Sequence, residues 1–207
     1  GVVGSMKAWS AVFNCVNYGV VYGDEQVGGI VGYCDADTVV INNANFGSVT
    51  AEWGYVGGIV GEMTNFLNGC TFSNNYSAGK VRAPQGGTTY IGALVGAVGE
   101  VVADFGGNNF YLEGSAVGTA STGEIPMRAF GGDGGSSDGS HGATAQPITT
   151  PGALLDALNG YVDSFVPSLG TEDPNDGDNG FHGHIREFVL SKWELNDDGY
   201  PVPVLAE

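Results

Sequence analysis

The sequence predicts an all-β fold: a parallel β-helix or β-solenoid of about four turns, closed by a small C-terminal capping region with a short helix and a hairpin. Three observations carry this. The hexamer VGGIVG stands at Val27–Gly32 and again at Val56–Gly61, returns as IGALVG at Ile91–Gly96, and has its tail in the opening GVVG of Gly1–Gly4. Self-similarity at a fixed period near 30 residues marks units that bury their faces against neighbouring copies. Thirty-seven glycines in 207 residues, without a Gly-X-Y period, exclude both a helical bundle and collagen. Charged residues are only 14%, against about 25% in ordinary domains, so polarity must come from Asn, Ser, Thr and backbone, as in a repeated β wall.

The repeats align in order. Val2–Val21 lies without gaps on Ile30–Val49 at an offset of 28, which sets Gly4 on Gly32, Asn14 on Asn42, Asn17 on Asn45, Tyr18 on Phe46 and Gly19 on Gly47. A third unit runs from Ile59 to Val81 with Gly79 answering Gly47, and a fourth from Leu94 to Leu112, read as lacking the closing glycine-plus-valine. Each unit holds three β-prone pieces. The first is the continuous apolar Gly-Gly-Ile-Val-Gly run, suited to a strand covered on both sides. The second is Val39–Ile41, with Ala11–Phe13 as its counterpart. The third follows the glycine, at Val20–Val21, Ser48–Thr50 and Lys80–Arg82. The Asn pairs and glycines between them tolerate left-handed backbone. Stacked Asn side chains would form ladders along the axis, and Tyr18, Phe46 and Tyr76 would fill the interior or stack as a column.

The VGGIVG cores and the Asn-x-aromatic-Gly-x-Val return, at Asn17–Val21 and Asn45–Val49, resemble the GLUG repeat family. The resemblance covers residues 1–112 and departs at Ala93, where Gly is expected, and at Ala78, where an aromatic is expected. It implies a bacterial secreted or cell-surface protein, adhesin-like, built as a right-handed parallel β-helix or related solenoid. GLUG repeats also accompany IgA-specific metallopeptidases, whose HExxH motif this chain lacks. The family supplies no catalytic residues to carry over.

Residues 113–207 read as linker and cap. Gly131–Gly142 is a flexible Gly/Ser segment. Thr149–Gly160 reads as a helix, with Thr150 as cap, Pro151 in the first turn and Gly160 at the end. Its Leu154, Leu155 and Leu158 would dock on the last coil, since an open solenoid end needs a cap. Phe181–Leu190 reads as a strand, and Trp193–Leu205 as a hairpin turning at Asp198–Gly199. The resemblance supports reading this Trp…Gly-Tyr-Pro-Val segment as the natural C-terminus. The start in mid-repeat at Gly1 points to upstream domains of the same chain.

Charge bounds the partners. Residues 1–112 hold 8 acids and 3 bases, net −5, and residues 113–207 hold 15 and 3, net −12, which together make −17. Nucleic acid and an anionic membrane surface are disfavoured as partners, because both need clustered Lys and Arg. No apolar run reaches the length of a membrane-crossing helix. Cys15, Cys34 and Cys70 are odd in number and lack metal-ligand spacing, so they read as small buried residues.

Four groups of residues carry candidate chemistry. Asp173, Asn175, Asp176 and Asp178 lie within six residues, the oxygen-rich pattern calcium takes, though without an EF-hand's closing Glu; a solvated acidic loop is the plain reading. No cofactor is otherwise implied. His182 and His184 would share a strand face with Arg186, which repels a cation. Asp35 and Asp37 form an isolated carboxylate pair of the kind a glycoside hydrolase needs. Trp9, Trp53, Tyr55 and Tyr90, with Tyr76, fall near turns, where flat rings stack on sugars or bury against a protein. The function expected is thus a non-enzymatic, extracellular or cell-surface adhesin-like module with no catalytic residues, presenting a rigid scaffold to a host glycan or protein. A carbohydrate-active β-helix enzyme and a structural stalk are the alternatives.

Overall fold

Each VGGIVG hexamer bends, forming two strands where the sequence promised one. A computed structural model describes residues 1–7, 10–35, 38–64, 71–83, 90–99, 107–120, 123–125, 129–131, 145–148, 150–165 and 189–204. Within it the chain winds through three complete coils of five short strands each. The first coil is β1 (Val3–Met6), β2 (Ala11–Phe13), β3 (Val16–Asn17), β4 (Val21–Gly23) and β5 (Val27–Gly28). The second is β6 (Val31–Cys34), β7 (Val39–Ile41), β8 (Ala44–Asn45), β9 (Val49–Ala51) and β10 (Tyr55–Gly57). The third is β11 (Val60–Met63), β12 (Thr71–Ser73), β13 (Tyr76–Ser77), β14 (Val81–Ala83) and β15 (Tyr90–Gly92). A fourth contains β16 (Val95–Val98), β17 (Asn109–Tyr111) and β18 (Ala116–Ala120), against which β19 (Gly123–Ile125) turns back antiparallel.

Equivalent strands pair in parallel, coil on coil, making five parallel walls. Val3 faces Val31, Val31 faces Val60 and Val60 faces Val95, so the hexamers are consecutive floors of one β-solenoid. The offset of 28 holds from β1 through β4 and becomes 29 at β5. The fourth coil does close: Ala116 pairs with Val81, so Gly114 and Ser115 make the return, displaced by one residue relative to the preceding β13–β17 pairing. Parallel stacking also continues past residue 112. Phe130 bridges Val95, and β20 (Ala145–Pro147) adds to the wall of β17.

Two columns of apolar side chains run up the axis. One stacks Ile30, Ile59 and Leu94 with Val31, Val60 and Val95, closed by Val40 and Phe72. The other stacks Val27, Val56 and Ile91 against Val49 and Val81, and takes in the buried methyl of Ala93. Each fully buried aliphatic side chain contributes about 1.5–3 kcal/mol. Between the columns nothing but backbone separates the walls. A Cβ on Gly61 would lie 2.5 Å from Gln26 C and Val27 N, and one on Gly96 would lie 2.5 Å from Val56 N. Strand β5 thus lies directly on β11, and β10 on β16, which only glycine permits. The return glycine has the same reason to exist: a Cβ on Gly47 would sit 1.9 Å from Gly19 O.

The first Asn of each pair, and Asn14 at the matching place, adopts left-handed backbone, with φ of 56°, 62°, 55° and 62° at Asn14, Asn42, Asn74 and Asn108. Their amides form an outer ladder, each donating to the carboxamide oxygen one coil below at 2.6–2.7 Å. Asn43, Asn75 and Asn109 form an inner ladder running the other way, begun by the backbone N–H of Cys15. A third links Asn17, Asn45 and Ser77.

The cap binds the side of the stack, a correction to the expected docking on the last coil. Helix α1 (Pro151–Ser164) starts at the predicted cap, Thr150, but runs through Gly160. Its Leu154 and Leu158 pack on Ala44, Tyr76 and Phe110, which belong to three different coils. The carbonyls of Ala157 and Leu158 accept from Asn108 and Asn74, and those of Ser191 and Val189 from Asn42 and Asn14. Two described segments of the cap thus cover the outer ladder: α1 serves Asn108 and Asn74, and Val189–Ser191 serves Asn14 and Asn42. The hairpin of β21 (Trp193–Leu195) and β22 (Pro201–Pro203) is as expected, with Trp193 buried and its Nε1–H donating to Asn42 Oδ1 at 2.6 Å. Of the segment read as a strand before it, Val189 and Leu190 alone are described, and neither is in a strand.

Candidate functional site

The corner between the fourth and fifth strand of each coil carries the one predicted cluster that the described residues contain. Tyr55 and Tyr90 pair in register on β10 and β15, and their rings stack at 5.5 Å and 24°. Trp53 projects from the turn before β10 with half its surface exposed. That turn sits on the equivalent turn of the coil below, because the N–H groups of Glu52 and Trp53 donate to Gly23 O and Asp24 O at 2.9 Å. Gly54, at φ 83°, turns the chain into β10, and Glu25 of the coil below lies over it. Stacking alone thus brings Trp53, Tyr55 and Tyr90 to one corner.

Three acidic residues, Glu25, Glu52 and Glu62, frame these rings. The Tyr22 hydroxyl donates to Glu52, and Tyr22 is itself strongly exposed. The Gln26 amide donates to Glu62. Burial pushes the Glu62 carboxyl up, against the pull of the Gln26 hydrogen bond, and the neighbouring Glu25 raises it further. Burial also pushes the Tyr55 hydroxyl up, followed by the charges of Glu62 and Glu25 and by Tyr90. The ridge is therefore aromatic faces bordered by acceptors. Tyr22, Glu25, Glu52 and Glu62 were not singled out in the sequence; the offset of 28, which sets Tyr22 beside Thr50 and Gly23 beneath Ala51 before one extra residue enters the turn, was the signal that could have found part of the set.

The remaining predicted residues fall elsewhere. Trp9 and Asp37 lie outside the described residues, as do Asp173, Asn175, Asp176 and Asp178 and the pair His182 and His184. Asp35 lies 3.8 Å from Lys7, whose ammonium is 5.3 Å from the Tyr33 ring centre. Tyr76, read both as an interior residue and as an exposed ring, is buried: its hydroxyl donates to Pro201 O and its ring meets Trp193 at 5.6 Å. Tyr18 and Phe46 do stack as a column, at 5.1 Å and 8°. The column stops there because Ala78 takes the next place and Tyr76 meets Phe46 edge-on. Cys15 is a free thiol that partial burial pushes up, and the buried Cys34 Sγ lies 3.9 Å from Met6 Sδ. Among the described residues, no group of three His, Cys, Asp or Glu side chains is placed to hold a metal. No described helix is long and apolar enough to cross a membrane.

No protein-family model and no curated protein matches the chain. Among solved structures, the crystal structure of a candidate immunoglobulin A1 protease from Bacteroides ovatus aligns with 95% of this chain at 20% identity and a TM-score of 0.54. The chain spans 48% of that protein's chain. The likeness is one of fold.

Proposed function

We propose that this solenoid is a non-enzymatic binding module, adhesin-like and displayed at a bacterial surface or secreted, which takes a glycan on the Trp53–Tyr55–Tyr90 corner. The observation that carries the reading is the in-register ring pair beside a half-exposed indole, bordered by Glu25, Glu52 and Glu62. Aromatic faces stack on the apolar faces of sugars, and carboxylates accept from their hydroxyls. The backbone beneath is held by the coil-to-coil ladder, so the rings are positioned before the ligand arrives and less freedom is lost on binding. The resemblance to GLUG repeats supports the extracellular setting. The test is a glycan array including mucin oligosaccharides, followed by titration of the strongest binder. Trp53→Ala and Tyr90→Ala should each weaken it about tenfold, the effect of removing one stacking ring with its buried area. Reducing-sugar release by the wild-type chain, or binding indifferent to both substitutions, would overturn the reading.

A further inference from the structure

The carboxylates around the Trp53–Tyr55–Tyr90 corner come from three separate elements. Glu25 reaches it from the turn before β5, where a Cβ on Gly54 would lie 2.4 Å from Glu25 Cγ. Glu62 reaches it from β11, bonded to Gln26. Gln26 and Tyr55 immediately precede Val27 and Val56, which pair in register, so this bond sets Glu62 beside the column of rings. Glu52 lies in the turn that carries Trp53. The charges of Glu62 and Glu25 both bear on the Tyr55 hydroxyl, and that of Glu25 bears on Glu62. Among the described residues, no cation pairs with any of the three: Lys7 stands at Asp35 and Lys192 at Asp163. Glu62 is half-buried, so water only partly screens it. The rings and Glu62 belong to the second and third coils, with the first coil below and the fourth above.

We infer that the corner selects glycans with a free, protonated amino group, as in a de-N-acetylated hexosamine, whose ammonium sits between the Tyr55 ring and the carboxylates of Glu25 and Glu62. This rests on the glycan reading of the corner and adds to it the charge of the ligand. Two features of different kind favour the same sign. Aromatic faces carry a negative quadrupole and attract cations, and the bordering carboxylates attract them as ions. A neutral sugar can stack on the rings and donate its hydroxyls, but it leaves Glu25 and Glu62 repelling each other across the site. An ammonium removes that repulsion and gives the half-buried Glu62 a charged donor. An N-acetyl group cancels the charge and adds bulk at the same carbon. A sialylated or sulfated glycan brings a further negative charge to a site that already holds three, so the corner discriminates against it.

The test is an array of glucosamine and galactosamine oligosaccharides, each printed with free amines and with N-acetyl groups, beside neutral and sialylated glycans. Calorimetric titration of the tightest matched pair follows. The free-amine member should bind about tenfold tighter than its N-acetylated partner. The gap should close as salt is raised to about 1 M, where charges are screened within about 3 Å. Glu62→Gln should cut the preference to about twofold or less. Glu25→Gln, at an exposed residue, should shift it the same way and serves if Glu62→Gln lowers the melting temperature. Trp53→Ala should weaken both members of the pair. Equal or tighter binding of the N-acetylated, neutral or sialylated glycans, still weakened by Trp53→Ala, would overturn the charge preference and leave the glycan reading in place. Binding of no glycan at all, with or without a lysine-rich peptide held through Trp53 instead, would overturn both.

Discussion

Asn74 shows what one side chain does in this fold. It sits at φ 55°, donates to Asn42, accepts from Asn108 and donates again to Leu158 O, all while fully buried. Asn74→Ala would strand those partners and force alanine into left-handed backbone, and should cost roughly 2–5 kcal/mol by chemical denaturation. Asn74→Gly loses the same bonds without the backbone strain, so it should be the milder change by about 1 kcal/mol. Equal losses would mean that backbone conformation plays no part. Tyr76 gives a pH signature. Burial holds its hydroxyl far above the ordinary tyrosine range, with the Tyr18 and Tyr200 hydroxyls pushing the same way. Unfolded, it would ionise near pH 10; folded, it stays neutral. Its contribution is whole below that pH and is lost as pH rises beyond it. Urea midpoints should therefore fall above about pH 10, less steeply in Tyr76→Phe, which at pH 7 gives up about 1 kcal/mol for the bond to Pro201 O.

Among the elements, the coil strands were the most legible and the lateral cap the least. Val39–Ile41 and Ala11–Phe13 match their predicted bounds, because a gap-free offset leaves no freedom in register. The two-residue strands Val16–Asn17, Ala44–Asn45 and Tyr76–Ser77 were hidden in what read as turn, being too short to show a period. The hexamer read as one strand because a bend at Gly29–Ile30 leaves its apolar run unbroken. The cap's landing place was not readable at all. Its contacts link residues as far apart as Asn14 and Val189, and no periodicity refers to them. The corner site was half legible: its rings were named from composition near turns, whereas its carboxylates converge only once coils stack. The cap's anchor is Trp193, which holds Asn42 and Tyr76 together. Trp193→Ala should cost about 3–5 kcal/mol and lower the melting temperature by roughly 6–20 °C. A shift below two degrees would show that the cap is held elsewhere.

At the scale of the molecule, coils that touch only their neighbours form a quasi-one-dimensional stack, whose units can come apart from either end. Here two further segments of the same chain lie along the outside: α1 accepts from Asn108 and Asn74, and Val189–Ser191 from Asn14 and Asn42. Every floor of the outer ladder is thereby tied to one of these segments as well as to its neighbouring floors. A zip fastened on its teeth and again along its tape does not open tooth by tooth. Stretched between the first coil and the fourth in a force spectrometer, this protein should hold its length and then give way in a single rupture, where an unclasped stack would yield a staircase of small ones.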